Sequence, residues 1–453
     1  MFAHNPIPVR PPRGANAPPS REACAALDRA DVLAAWRERF TLADDIVYLD
    51  GNSLGALPKA TAARVAKAIQ NEWGEGLIRS WNRSAETSGW IDAPQRVGDA
   101  IAPLIGAAPG EVVVADSTSV NLFKVLTVAL KIAASEKRRR IVSEAENFPT
   151  DLYIAEGLSA LLGGATELHL IECDANGANG DETLNKIDRA IGEALDETCA
   201  VLMLTHVNYR TGAMHDMARV TQRAHDAGAL VVWDLAHSAG AVPVDLHAAG
   251  ADFAIGCGYK YLNGGPGAPA FLWAHARHRD RFEQPLSGWM GHADPFAFTS
   301  HYAPAKGIAR FLCGTPPILS MAALECGVAS IADAGMAALR AKSIALTECF
   351  IAAVEARMQG VLELASPRDT ARRGSQVCFR PAGELAGHTY ALMQALIARG
   401  VIGDFRAPDI LRFGFAPAYV RFVDSFDAAQ ALADVIAKKE YLEVRFQVKA
   451  AVT

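Results

Sequence analysis

Between residues 112 and 274, short apolar runs alternate with longer stretches whose apolar positions recur every three or four residues. The runs Val112–Val114, 140–143, 168–171, 200–204 and 230–233 are dominated by Val, Ile, Leu and Met. A strand with one wet face alternates polar and apolar residues, whereas a strand covered on both faces reads as a continuous apolar run. The stretches 122–133, 181–195 and 217–227 carry the helical period. This alternation predicts an α/β architecture, a mostly parallel sheet with helices on both faces. Phe253–Gly256 and 270–273 extend the series, the second read as antiparallel.

The flanks are patterned differently. Residues 1–20 are rich in Pro, Ala and Arg without an apolar period, which predicts a loosely attached arm. Helical spacing covers 28–40, 61–73 and 93–105, and 46–50 reads as a short strand ending in the glycine-flanked turn Gly51-Asn52-Ser53-Leu54-Gly55. That turn suits either a plain strand-to-helix loop or a loop whose backbone approaches a ligand. The charged run 137–140 reads as a solvated loop. Beyond Pro316 and Pro317, helical patterns at 318–334 and 339–358 lead to a strand at 376–380, a helix at 389–398 and a strand at 410–415. This βαβ-like tail predicts a second, smaller domain. The expected division is an arm at 1–27, a segment at 28–60 packing with the small domain, a large domain at 61–315, and a linking helix with the small domain at 316–453.

Candidate chemistry gathers where the predicted strands end. Asp234 closes the run 230–233, and Lys260 precedes the glycine-rich turn Gly264–Gly267. An acid at a buried strand end and a later lysine suit pyridoxal 5'-phosphate (PLP), which needs an amine for a Schiff base and a carboxylate to hold its pyridine nitrogen protonated. An Asp there also serves as a helix cap, and a loop Lys is commonly solvated. Thr118 and Ser119 open a helix after a strand, a place for a phosphate or simply for a cap. Phe148, after another strand, can stack on a planar ring or fill core. With Thr205 and Asp234, these residues all follow strand ends, where ligands of parallel sheets sit. Arg412 alternates with apolar neighbours on a predicted strand and calls for a carboxylate partner.

Composition narrows the picture. At 453 residues the chain exceeds one compact core. Apolar residues make up 51% and charged residues 21%, ordinary for a globular protein. A net charge of −6 gives no reason to expect nucleic-acid binding. The eight cysteines form no CxxC pair, so no zinc cluster or other metal site is expected. No signal peptide or membrane-spanning apolar run is read, and a reducing cytoplasm fits.

Taken together, the motifs DLAHSAG (234–240), GYKYLNGGPG (258–267), YLDGNSLG (48–55), NFPTD (147–151), GTPP (314–317) and LRFG (411–414) resemble kynureninase. The resemblance runs from about residue 28 to the C-terminus. It implies a PLP-dependent, fold-type I, class-V aminotransferase-like homodimer with a mostly parallel seven-stranded sheet in the large domain. It implies hydrolysis of L-kynurenine, and of its 3-hydroxy form, to anthranilate (3-hydroxyanthranilate) and L-alanine in tryptophan catabolism, a kynurenine-pathway step toward pyridine nucleotides. By position, Lys260 would form the Schiff base, Asp234 would pair with the ring nitrogen, and Phe148 would stack on the ring. Pro149, Thr150, Asp151, Thr205 and His237 would complete the pocket. Thr118, Ser119 and Tyr259 would bind the phosphate, with Trp289 and Thr315 reaching it from the partner subunit. Tyr259 is also a candidate proton donor. Arg412 would take the substrate carboxylate, with Asn52 and Ser53 close by. The competing expectation is a cysteine desulfurase, selenocysteine lyase or aminotransferase of the same fold; a desulfurase would need a reactive thiol, with Cys257 and Cys313 as candidates. A PLP-binding regulator without catalysis is the reading from another class.

Overall fold

A computed structural model describes residues 19–84, 88–134, 138–173, 179–281 and 283–449. The apolar runs become one sheet: Val112–Val114 (β1), Arg140–Glu144 (β2), Glu167–Ile171 (β3), Cys199–Thr205 (β4), Leu230–Asp234 (β5), Phe253–Gly256 (β6) and Phe271–Ala274 (β7). The spatial order is β1-β7-β6-β5-β4-β2-β3. All neighbours run parallel except β7, which is antiparallel to both β1 and β6. Every residue of β1, β4, β6 and β7 is buried, which is why these strands carry no alternation. Register places Thr205 opposite Asp234, so the central strands β4 and β5 end side by side on two polar residues.

A second sheet lies toward the C-terminus: Leu362–Leu364 (β8), Gln376–Pro381 (β9), Asp404–Arg406 (β10) and Ile410–Gly414 (β11), in the order β8-β9-β11-β10 and antiparallel throughout. The expected βαβ arrangement is therefore not what forms. After the helix Thr389–Ala398 the chain first makes Val401–Ile402, which pairs in parallel with Val47–Tyr48, and only then turns into the β10–β11 hairpin. The YLDGNSLG segment is thus tied to this sheet, with a further bridge between Asp50 and Gly414.

Three local expectations change. Residues 21–30, mostly assigned to the arm, form the helix Arg21–Ala30, capped by the Ser20 side chain and seated by the fully buried Cys24; residues 1–18 lie outside the described set. The helix expected over 28–40 breaks after Ala30 and resumes as the 3-10 turn Ala34–Arg39. Part of the charged run at 137–140 is structural: Arg138 Nη1 donates to the carbonyls of Ala227 and Cys199 at 2.6 and 3.2 Å, and Lys137 lies outside the described residues. Among the described residues, no single helix is long and apolar enough to cross a membrane.

Candidate active site

A cavity of about 600 Å³ opens at the carboxyl ends of β1, β4 and β5. Thr118 and Ser119 line it from the start of the helix Thr118–Ala134. The capping task there falls to Ser117, whose Oγ accepts the Val120 N–H at 3.3 Å, and the neighbouring hydroxyls face the cavity. The preceding Asp116 is held in the left-handed region at φ 48° and is bonded to the fully buried Lys124, Nζ to Oδ2 2.6 Å. A helix N-terminus flanked by hydroxyls is a ready anion site.

Phe148, Thr150 and Asp151 form a second wall after β2. Asn147 Oδ1 accepts the Phe148 N–H at 2.6 Å and sets that turn, while Pro149 starts the helix Pro149–Leu161 and does not line the cavity. The Phe148 ring meets Tyr209 edge-on, with centroids 5.2 Å apart, and its centroid lies 5.9 Å from Lys260 Nζ.

Lys260, Tyr259, His237, Asp234 and Thr205 close the cavity floor. Lys260 Nζ and His237 Nε2 lie 2.9 Å apart, within hydrogen-bond distance. Burial holds His237 well below its ordinary pKa, and the Lys260 charge adds to the effect, so the imidazole is neutral. Burial pushes both Asp234 and Asp151 up; the Asp234 charge raises Asp151 further, and Lys260 pulls Asp234 back. Asp234 Oδ1 accepts the Ala236 N–H at 2.7 Å, but Asp151 Oδ2 is buried without a hydrogen-bond partner. Two neighbouring buried carboxyls with an orphan oxygen call for a proton or a cation between them. A protonated pyridine nitrogen answers that demand, the amine of Lys260 stands ready for an aldehyde, and the hydroxyl turn suits a phosphate. These residues fit PLP.

Tyr259 stands on the same floor, next to Lys260. Burial raises its phenol well above the ordinary value, with Cys257 and Asp234 adding to the rise, so it stays protonated across the neutral range and can serve as a donor but not as a base.

Arg412 lies beside this cavity, on β11, and is fully buried. Its fork is held from several sides. Nη1 donates to the Tyr209 carbonyl at 2.7 Å, Nη2 donates to Ser53 Oγ at 2.7 Å and to Asp404 Oδ2, and Asp50 lies 4.0 Å away. In the amide orientation that satisfies both neighbours, Asn52 accepts from Arg412 Nε at 3.0 Å and donates to Asp50 at 3.3 Å. The expected carboxylate partner is therefore Asp404, the register neighbour of Arg412 on β10, and Arg406 bonds the same oxygen at 2.5 Å. Burial raises Asp50 to about 7, with the Asp404 charge as the second cause.

Trp289 and Thr315 are not brought to this cavity. Trp289 is half-buried, edge-on to Trp81 at 6.2 Å, and Thr315 is exposed. Among the described residues no cysteine lines the cavity: Cys257 is buried with its thiol pushed up by burial, and Cys313 lies elsewhere. Sequence reasoning missed Tyr209, Gln376, Asp404 and Arg406. The only signal was the polar character of 404 and 406 alternating with Phe405, the same signal that singled out Arg412.

A family model described as the kynureninase C-terminal domain matches residues 339–432. A kynureninase from Burkholderia pseudomallei (strain 1106a) is 55% identical over 437 residues, covering 96% of this chain and 100% of its own length. One from Pseudomonas fluorescens is 52% identical over 438 residues, again covering 96% and 100%. Among solved structures, an apo cysteine desulfurase from Thermococcus onnurineus NA1 superposes with a TM-score of 0.71 at 22% identity, covering 90% of this chain and 97% of that one. A C-DES mutant with glycine covalently linked to its PLP cofactor gives 0.72 at 18%, covering 88% and 99%. The structural likeness fixes the fold as that of the fold-type I PLP enzymes, desulfurases included. Identity above one half along nearly the whole length separates these relatives, and on that ground the chain belongs to the kynureninase family.

Proposed function

We propose that this protein is a PLP-dependent hydrolase that cleaves L-kynurenine between Cβ and Cγ, giving anthranilate and L-alanine. The 3-hydroxy form is a second substrate in this reading. The observation that carries it is the single cavity in which the Lys260 amine, the Asp234–Asp151 pair and the hydroxyl turn meet, with Arg412 alongside.

Lys260 would bond the cofactor, Asp234 would keep its ring nitrogen protonated with Asp151 beside it, and Phe148 would cover the ring. Thr118, Ser119 and the helix N-terminus would hold the phosphate. When bound, the cofactor supplies an electron sink for the substrate's Cα and Cβ. The chain's own residues do the rest. Lys260, once exchanged for the substrate amine, takes the proton from Cα. Tyr259, kept protonated by burial, donates a proton to the alanine-forming fragment. His237, kept neutral, receives a hydrogen bond from the lysine and adds no positive charge beside it. Arg412 binds the substrate carboxylate, with its guanidinium oriented by Asn52, Ser53, Asp404 and the Tyr209 carbonyl.

This reading includes a homodimer in which Trp289 and Thr315 reach the partner's phosphate, and a division into a large domain at 61–315 and a small domain from 316 onward. A reducing cytoplasm suits the eight free cysteines. The competing desulfurase reading finds no thiol lining the described cavity. Supplying L-kynurenine and L-cysteine in parallel separates the two: anthranilate fluorescence without sulfide supports this reading, and sulfide without anthranilate refutes it.

A further inference from the structure

Gln376 begins β9, in the C-terminal sheet, and is fully buried. Its side chain leaves that sheet and reaches the floor of the cavity. The amide nitrogen donates to two backbone carbonyls, those of Asn208 and Tyr209, at 3.1 Å each. A carbonyl only accepts, so this pair of contacts settles which end of the amide is nitrogen. The other end, Oε1, therefore faces His237 Nδ1, 3.1 Å away. Gly212 makes room for this arrangement, since a Cβ there would lie 2.7 Å from Gln376 Cγ.

An amide oxygen cannot donate, so His237 Nδ1 must carry the hydrogen. A neutral imidazole has one N–H, and here it is spent on Gln376. Lys260, Arg412 and Arg406 all bear on His237 as cations that oppose its protonation. Nε2 then presents a lone pair to Lys260 Nζ at 2.9 Å.

We propose that Gln376 is a positioning residue for Lys260: it fixes the His237 tautomer so that Nε2 accepts a hydrogen bond from the lysine amine. The amine that Lys260 presents once the substrate amine has replaced it on the cofactor is neutral, with two hydrogens and one lone pair. Donating one hydrogen to Nε2 orients the nitrogen and leaves the lone pair free to take a proton from the substrate. With the other tautomer, an N–H of His237 would point at the amine and compete for that lone pair. Gln376 also ties the C-terminal sheet to the lysine by way of His237. The inference rests on the reading of Lys260 as the cofactor-bonding base.

The test is nitrogen-15 NMR of histidine-labelled holoenzyme, with the His237 signals assigned from a His237→Gln variant. The expected result is a proton on Nδ1 and a bare Nε2 from pH 6 to 8. A cationic ring, or a proton on Nε2, overturns the proposal without reference to any variant or to turnover. Gln376→Leu should move the proton to Nε2 in part and lower kcat roughly tenfold or more while KM changes little. Gln376→Glu should keep the proton on Nδ1, recover part of that kcat, and shift the acid limb of the pH profile upward, because a carboxylate favours the imidazolium. A Gln376→Leu enzyme with unchanged tautomer and kcat would overturn it. Failure of the wild-type enzyme to release anthranilate would instead refute the proposed function and leave the tautomer result standing.

Discussion

Among single residues, a few side chains have environments that divide their roles. Lys260→Ala should abolish turnover and remove the absorbance of the lysine-bound cofactor, read by visible spectroscopy. Asp234→Asn should retain cofactor but lower kcat by roughly two to four powers of ten, since stripping one partner from a buried charge pair costs about 3–5 kcal/mol. Asp50 brings a pH dependence. Its carboxyl is raised to about 7, so it is neutral below that pH and negative above it, 4.0 Å from Arg412. A second anion there competes with a substrate carboxylate. KM for L-kynurenine should therefore rise as pH increases through this range, and Asp50→Asn should flatten the rise in a KM–pH profile. Lys260, Asp234, Phe148 and the hydroxyl turn were legible because each follows a buried strand or stands in a motif. Gln376 and Tyr209 were not, because nothing local marks them; their roles come from contacts between chain segments far apart in sequence.

The GNSLG turn reaches the site in two ways, through Leu54, which lines the cavity, and through what its glycines pack against. The Gly55 N–H donates to the Tyr259 carbonyl at 2.8 Å, and a Cβ on Gly55 would overlap the Lys260 carbonyl oxygen and the Asn263 side chain. The turn thus packs against the backbone that carries the lysine, while Asn52 and Ser53 from the same turn orient Arg412. Gly55→Ala should lower stability by about 1–3 kcal/mol through overpacking and should reduce kcat, measured by thermal melting and steady-state kinetics. The turn is a loop that lines the cavity with Leu54 and supports the lysine segment through its packing. Six of the seven strands of the large sheet were readable as buried apolar runs; the edge strand β3 buries only Ile171. The C-terminal sheet was misread as βαβ because the two residues Val401–Ile402 pair with the distant Val47–Tyr48, a contact that no local period announces.

In the whole molecule, a cavity assembled from one chain leaves Trp289 and Thr315 outside it, and the proposed dimer gives them a place. Mixed dimers of a Lys260→Ala chain with a Trp289→Ala/Thr315→Ala chain would hold one site with every group intact. Activity should reappear on mixing under exchange conditions; two inactive preparations that stay inactive would place those residues outside any shared site. Hydrolysis itself is read from the product balance with L-kynurenine as sole substrate. Wild-type protein should give anthranilate and L-alanine in one-to-one amounts, and Lys260→Ala should give neither. Wild-type holoenzyme that leaves L-kynurenine intact, or that yields anthranilate without alanine, would contradict the proposed hydrolysis.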